Sequence, residues 1–427
     1  MKKVLCSGLL ILFVFSSTLK AQDVLNATLL KADKSYIRRD YQTALLYYIK
    51  YLEKFPRDYY AERQTALCYN KLNKPDDAID HWPLVIESSE ATENDFLEYG
   101  RSLLINNRAP EARKIFLVLA HSKDKSLSDW AKVYLNPKDL FKDSAATKVI
   151  EVNGINSEFP EFAPVMFKEK LFYVSDKNTS IRVYHAVNAI QSQNIAGALK
   201  KDSVSMFPTI IYEKLQAMSI SGAFSFSGDG ASLCFCKVMS NKELKIKSKE
   251  PFFRYQLFTL TMSTMDNYLP EVKPFRYNSP LYDFMHPCIS KDGKRLFFAS
   301  NMKGSLGGKD IFMCELINGN WSAPKNVGAE VNGPGNEIYP HLSEEGLLYF
   351  ASDHKPGLGG LDIFYAKPAS QKNKLFEASK NAGANINSRF DDFGIYVLKG
   401  GKKGYLSSNR KNNSSDDIYY FVSKASN

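Results

Sequence analysis

Three aspartates stand in one repeated context: Asp310-Ile311-Phe312, Asp362-Ile363-Phe364 and Asp417-Ile418-Tyr419. A carboxylate that opens a strand can accept bonds from nearby backbone N–H groups, or it can help hold a cation such as calcium. Calcium takes clusters of oxygen ligands and these are single carboxylates, so backbone capping is the expected role. The six histidines are isolated, and no His-Glu-x-x-His pair or Gly-x-Ser-x-Gly nucleophile turn occurs. His286 and His341 sit at or next to a repeated Pro, which points to a role in the fold. The runs GSLGG at 304–308 and GLGG at 357–360 lack the Gly-Lys-Ser/Thr of a phosphate loop. No catalytic, cofactor-binding or metal-binding residue is assigned on these grounds. The expectation is a chain that is not an enzyme and uses no cofactor. Carboxylates scattered around a ring-shaped fold would not show in sequence spacing, which keeps an enzyme as the alternative.

Positively charged Lys2 and Lys3, the apolar run Val4 to Phe15 and the small-residue exit Ser16 to Ala21 read as a signal peptide over 1–21. No later stretch is long and apolar enough to cross a membrane, so an exported chain without a transmembrane span is expected. Five cysteines follow the leader (Cys68, Cys234, Cys236, Cys288 and Cys314), an odd number without a Cys-x-x-Cys pair, which argues against a disulfide framework. The formal net charge is +10, and loss of Lys2, Lys3 and Lys20 with the leader leaves +7. KELKIKSK at 242–249 is the dense basic run. It reads as a solvated hairpin tip, with attraction to anionic lipid headgroups or an acidic partner as the alternative. Export argues against a nucleic-acid partner.

These residues need elements to position them, and two repeats supply them. In residues 22–136 the period is 34. Ala32, Ala66 and Gly100 share one column, Ala44, Ala78 and Ala112 a second, and the bulky Tyr48, Trp82 and Phe116 a third. Small residues let antiparallel helices approach, and the aromatic one turn after the second alanine fills the gap to the next unit. Leu127 to Leu135, with Trp130, reads as a capping helix. The concave face of the first helices would carry Tyr60, Arg63, Asn70, Lys71, Asn94 and Arg101. There Arg63 and Lys71 could meet a carboxylate and Asn70 a peptide backbone.

From residue 148 to 427, after a linker at 137–147, the pattern becomes short alternating strands with turn signals. His286-Pro287, KDG at 291–293, the strand Arg295 to Ser300 and the glycine-rich turn recur 52 to 53 residues on as Tyr339-Pro340, EEG, Leu347 to Ser352 and GLGG. GYLSSN at 404–409, LFYVSD at 171–176 and SGDGASLCFC at 227–236 mark three more copies, five in all. The links KNVGAEVNGPGNE (325–337) and KNAGANINSRFDD (380–392) also match. Such units imply a β-propeller. KVIEVNGINSEFPE at 148–161 resembles those links, so residues near Val149 to Val152 are expected to complete the last blade and close the ring. Val174, Cys236, Ala299, Ala351 and Ser407 share one small core position, and Cys314 matches Ala366, so the thiols are expected to pack.

The helical columns resemble the tetratricopeptide repeat (TPR). The pattern Gly-Gly-x-Asp-Ile-Phe/Tyr resembles the WD40-like, TolB-type propeller repeat. The chain is thus read as α+β multidomain, an N-terminal all-α TPR solenoid followed by an all-β, five-bladed β-propeller. That order is similar to the front half of OmpA-family, PorE-type envelope proteins of Bacteroidota. The resemblance implies a non-enzymatic scaffold in the periplasm, at the inner face of the outer membrane. It also implies protein–protein interaction with envelope proteins, a PorP/SprF-type outer-membrane partner among them, and a part in type IX secretion or gliding. Those proteins continue into an OmpA-like peptidoglycan-binding domain, and no residue here is assigned to that role. Asp143-Ser144-Ala145 and Asp202-Ser203-Val204 match the short O-glycosylation pattern of that group, which makes Ser144 and Ser203 the candidate acceptors. The alternative function is a propeller-based enzyme or a carbohydrate- or peptidoglycan-associated binding module.

Overall fold

The computed structural model describes residues 27–37, 40–72, 74–136, 140, 147–152, 155–167, 170–175, 194–198, 222–248, 252–261, 272–411 and 415–423. The leader, Ser144 and Ser203 lie outside them. The chain divides into a helical unit, running to Leu135, and a β unit that begins at Asn136.

The helical unit holds α1 (residues 27–37), α2 (Tyr41–Leu52), α3 (Tyr59–Lys71), α4 (Pro75–Ala78), α5 (Trp82–Glu87), α6 (Glu93–Ile105), α7 (Ala109–Leu119) and α8 (Lys125–Leu135). Helix starts follow the sequence. The carboxylates of Asp40 and Asp58 accept N–H bonds at the starts of α2 and α3, and Thr92 with Asp95 forms a capping box on α6. Pro83 cannot donate a helical bond and crowds the preceding turn, and α4 and α5 are separate short helices on either side of residues 79–81. The small columns are buried: Ala32, Ala44, Ala66, Ala78 and Ala112 expose nothing, and neither do Tyr48 and Trp82. At Gly100 an added Cβ would lie 2.8 Å from the Phe116 ring, so this close helix contact requires glycine.

The β unit is a propeller of antiparallel sheets. Five sheets are described: β2 (Glu161–Phe167), β3 (Lys170–Ser175) and β4 (Asn194–Ala198); β5 (Phe224–Phe226), β6 (Ser232–Ser240), β7 (Phe253–Thr261) and β8 (Val272–Pro274); β9 (Phe284–Ile289), β10 (Arg295–Ser300) and β11 (Asp310–Ile317) with β12 (Asn320–Trp321) and β13 (Lys325–Asn326); β14 (Glu337–Leu342), β15 (Leu348–Ser352), β16 (Asp362–Ala366) and β17 (Lys380–Asn381); and β18 (Asp392–Val397), β19 (Lys403–Ser408) and β20 (Asp417–Ser423) with β1 (Thr147–Glu151). Their inner strands are β2 (Glu161–Phe167), β5 (Phe224–Phe226), β9 (Phe284–Ile289), β14 (Glu337–Leu342) and β18 (Asp392–Val397). β6 (Ser232–Ser240) and β7 (Phe253–Thr261) form the hairpin of the second sheet. The short β13 (Lys325–Asn326) and β17 (Lys380–Asn381) come from the repeated links, and β1 (Thr147–Glu151) pairs with β20 (Asp417–Ser423) as the third link indicated. N- and C-terminal strands of the unit thus share one sheet, which removes an open edge at the seam. Val174, Cys236, Ala299, Ala351 and Ser407 are all buried, as are Cys314 and Ala366.

Each of the four described links carries an asparagine whose amide grips the strand behind it. Asn332 accepts from the Ile311 N–H at 2.9 Å and donates to the Ile311 carbonyl at 3.0 Å. Asn387 holds both groups of Ile363 at 2.7 and 2.9 Å, Asn156 both of Ile418 at 2.8 and 3.0 Å, and Asn278 both of Leu257 at 3.1 and 2.7 Å. Five residues after Asn156, Asn332 and Asn387 come the buried acids Glu161, Glu337 and Asp392, the first residues of the next inner strands. Each accepts a backbone N–H from its own link, at Ser157, Gly333 and Ser388. Asp310 and Asp362 likewise bond backbone N–H groups at 306–307 and 358–359, as expected for caps.

The amide is the only group at that position that satisfies both an N–H and a C=O. Replacing Asn332 by Ala or by Asp should lower propeller stability by about 2 to 4 kcal/mol, because a buried peptide group loses its partner. Urea midpoints check this, and an unchanged midpoint for Asn332→Asp would show that the paired bond is unimportant.

Candidate functional site

In the helical unit three of the six groove candidates, Tyr60, Arg63 and Arg101, are engaged within the fold. The Tyr60 hydroxyl donates to Asp33 at 2.9 Å, and Arg63 pairs with buried Asp95. Asp95 also accepts from the Tyr59 hydroxyl at 2.8 Å and the Thr92 N–H at 2.9 Å. Arg101 pairs with Glu98 at 3.3 Å and lies 5.3 Å from the Trp130 ring. Lys71 and Asn94 are exposed, while the Asn70 carbonyl oxygen is buried without a partner among the described residues. Tyr60 and Arg63 thus stand in one polar row, but the Arg63 charge is taken up by Asp95 instead of being free for a carboxylate.

In the propeller, the inner strands surround a narrow cavity of about 50 Å³, with room for a few waters at most. A β-bulge sets its lining. Ala163, His286, Tyr339 and Gly394 occupy the same position in four inner strands, with φ of 52°, 52°, 52° and 54°. The register shifts there in every case. Two residues beyond, side chains from one sheet reach the backbone of the next. Ser225 accepts from the Ile289 N–H at 2.9 Å, Cys288 from Leu342 at 3.3 Å and His341 from Val397 at 3.0 Å, while the Tyr396 hydroxyl donates to the Met166 carbonyl at 2.9 Å.

The mouth of this channel lies where the inner strands begin. Near it stand Tyr255, Lys309, Leu361 and Asp416, at equivalent places in four successive sheets though not in the cavity lining itself. The first three donate their N–H groups to Asp283, Asn336 and Asp391 in the following link, and the carbonyls of Lys309, Leu361 and Asp416 accept from Glu337, Asp392 and Glu161. Tyr339, displaced by the bulge, stacks on His286 with ring centroids 3.6 Å apart and meets Phe393 at 4.9 Å. Burial first, then the charges of Asp416 and Tyr255, raises the Tyr339 phenol well above its usual range. Burial, and then the Asp391 and Asp417 charges, pushes half-buried Asp416 up to about 7. Burial and the Lys309 charge hold His286 down to about 3. A carboxyl that exchanges its proton near neutral pH therefore faces a phenol at the mouth of the ring. Among the described residues no group of three or more His, Cys, Asp or Glu could hold a metal ion.

Sequence reading assigned none of these mouth residues. Their signal was the residue that precedes each repeated Asp, where Lys309, Leu361 and Asp416 differ while their neighbours repeat.

The half-buried His341 ring, brought down to about 4 chiefly by desolvation, has a testable consequence. Its folded value lies below the unfolded value of about 6.5, so the unfolded chain takes up the proton first. The stability it contributes is complete above about pH 6.5 and is lost as pH falls towards 4, by about 3 kcal/mol. Glu337, raised to about 7 by burial, pulls the opposite way, its stabilisation being greatest in acid and lost as pH rises through 7. The difference between wild type and His341→Gln isolates the histidine. Urea midpoints at pH 7.5, 5.5 and 4.5 should fall less steeply in the variant, and parallel profiles would contradict a neutral His341.

No protein-family profile matches the chain, and no curated protein matches it by sequence. Solved structures match the propeller. An α-L-arabinofuranosidase from Lactobacillus brevis is 9% identical over 65% of this chain and 94% of that one, with a TM-score of 0.37. A gluconolactonase from Xanthomonas campestris is 10% identical over 61% and 71%, with a TM-score of 0.33. A xylan β-1,4-xylosidase from Bacillus halodurans is 14% identical over 61% and 50%, with a TM-score of 0.34. The expectation of a chain that is not an enzyme is corrected against this set, whose named members are all hydrolases. The β-propeller itself rests on the antiparallel sheets described above.

Proposed function

We propose that the propeller is a carbohydrate-directed enzyme whose substrate sits on the channel mouth, with Asp416 as the proton donor. The observation that carries this reading is the half-buried Asp416 carboxyl, held near 7 beside the Tyr339 phenol. A carboxyl in that range can protonate a leaving oxygen at neutral pH, which is the demand of glycoside or lactone hydrolysis. Tyr255 and Leu361, both half-buried, supply aromatic and apolar surface against which a sugar ring can rest. The channel beneath is too narrow to admit the ligand, so binding stays at its mouth.

The finer architecture belongs to the same proposal. Five sheets joined by equivalent bonds support a five-bladed ring, and the buried small and aromatic columns support a TPR-type array that presents the helical face. The leader supports export, and the resemblance to PorE-type proteins supports a periplasmic setting beside an outer-membrane partner. Among the described residues no helix is long and apolar enough to cross a membrane.

Hydrolysis of a panel of chromogenic glycosides and lactones tests the reading. Activity should fall as pH rises through about 7, the range in which Asp416 loses its proton. Asp416→Asn should lower turnover on the order of 100-fold or more while ligand binding persists. Full activity in that variant, or neither turnover nor binding in the wild type, would overturn the proposal.

A further inference from the structure

The β6–β7 hairpin is longer than its counterparts. Its strands pair over nine residues, from Ser232↔Thr261 to Ser240↔Phe253, whereas the matching hairpins pair over five or six. The extra length lies beyond Lys237↔Gln256, at the end of the sheet where the channel opens. Tyr255, a mouth residue, is part of it and pairs with Val238. The hairpin is therefore a continuation of the mouth's own wall.

Its charge is one-sided. Lys242, Lys245 and Lys247 are exposed, with no acid paired to them among the described residues. The acid on the tip, Glu243, already serves the Ser240 N–H and hydroxyl at 2.8 Å each and pairs with Lys237 at 3.4 Å. At the root, next to Tyr255, Arg254 lies 5.2 Å from the Phe252 ring and donates one Nη1 bond to the Phe253 carbonyl at 3.1 Å. Its Nε is buried and has no acceptor among the described residues. A buried guanidinium donor without a carboxylate is costly unless an anion completes it. Asn241, Lys242, Ile246, Lys247 and Ser248 line an open notch at the tip.

We propose that this hairpin is an acidic-ligand clamp, which selects glycans bearing anionic groups for the channel mouth. Arg254 anchors one anionic group beside the mouth, and the three lysines draw in the rest of the chain by charge. The inference rests on the carbohydrate reading of the mouth and names its substrate class. A mouth acid raised to about 7 carries its full charge only above neutral pH, so below pH 7 it adds little repulsion to an anionic ligand. The exposed lysines act over a screening length of about 8 Å at physiological salt, so affinity should depend strongly on ionic strength.

Binding of the full-length chain to polygalacturonate (carboxylate), heparin (sulfate), neutral dextran and phosphatidylserine vesicles tests it. At low salt the chain should bind one or both polyanionic glycans and ignore dextran, with affinity falling at least tenfold at 0.5 M NaCl. A Lys242→Gln/Lys245→Gln/Lys247→Gln triple variant, all at exposed positions, should weaken binding tenfold or more at an unchanged melting temperature. Arg254→Gln should weaken it further, with Arg254→Lys restoring part. Equal binding to dextran, unaltered binding by the triple variant, or binding to the vesicles alone would overturn the clamp, the last in favour of a lipid surface. Asp416→Asn separates this proposal from the one it rests on. Retained polyanion binding without any hydrolysis by the wild type would leave the clamp standing and sink the enzyme. Hydrolysis of neutral glycosides with no polyanion binding would do the reverse.

Discussion

A single asparagine amide, used four times, ties the propeller together. A peptide group in the third strand of a sheet has both an N–H and a C=O turned towards the link, and burying either unpaired would cost a large part of a domain's net stability. Asn156, Asn278, Asn332 and Asn387 answer both at once. The link cannot slide without breaking two bonds, so the first residue of the next inner strand is delivered to a fixed place. Three of the four links then deliver a buried acid there, Glu161, Glu337 or Asp392.

The mouth inherits its geometry from this device. The carbonyls of Lys309, Leu361 and Asp416 are held by the next strand's first N–H, so their side chains project from a braced backbone. The structure does not constrain which side chain stands there, and a tyrosine, a lysine, a leucine and an aspartate are found at equivalent positions. The bulge adds the second half of the arrangement. By turning Tyr339 out of the regular strand it stacks the ring on His286 and brings the phenol within reach of the Asp416 charge. Sequence variation is thereby concentrated at the mouth, on a scaffold that does not vary.

Much of the scaffold was legible in the sequence. The glycine turns, the Asp-Ile pairs and the two matching links predict the strand order. The third link, at 148–161, predicts the strand that closes the last sheet, because it resembles the other two links. The buried columns of the helical unit were legible for a similar reason, since Gly100 is forced by the Phe116 ring. The site was not. Asp416 resembles a doubled copy of the repeated Asp417, and nothing local shows that burial and two neighbouring carboxylates would raise it. Tyr339 and His286 belong to equivalent positions 53 residues apart, and their contact exists only once the ring has closed. Arg63, in contrast, was singled out from its spacing, but its partner Asp95 lies one repeat away. The absence of a catalytic motif could not decide the function, because groups brought together around a ring leave no spacing to read.

Native-state amide hydrogen exchange gives the most direct test of the asparagine device. The N–H groups of Leu257, Ile311, Ile363 and Ile418 should exchange only with global unfolding of the propeller, all with the same protection. Fast exchange at any of them, while the neighbouring strand amides stay protected, would show that the links are loose and that the mouth is not held by them.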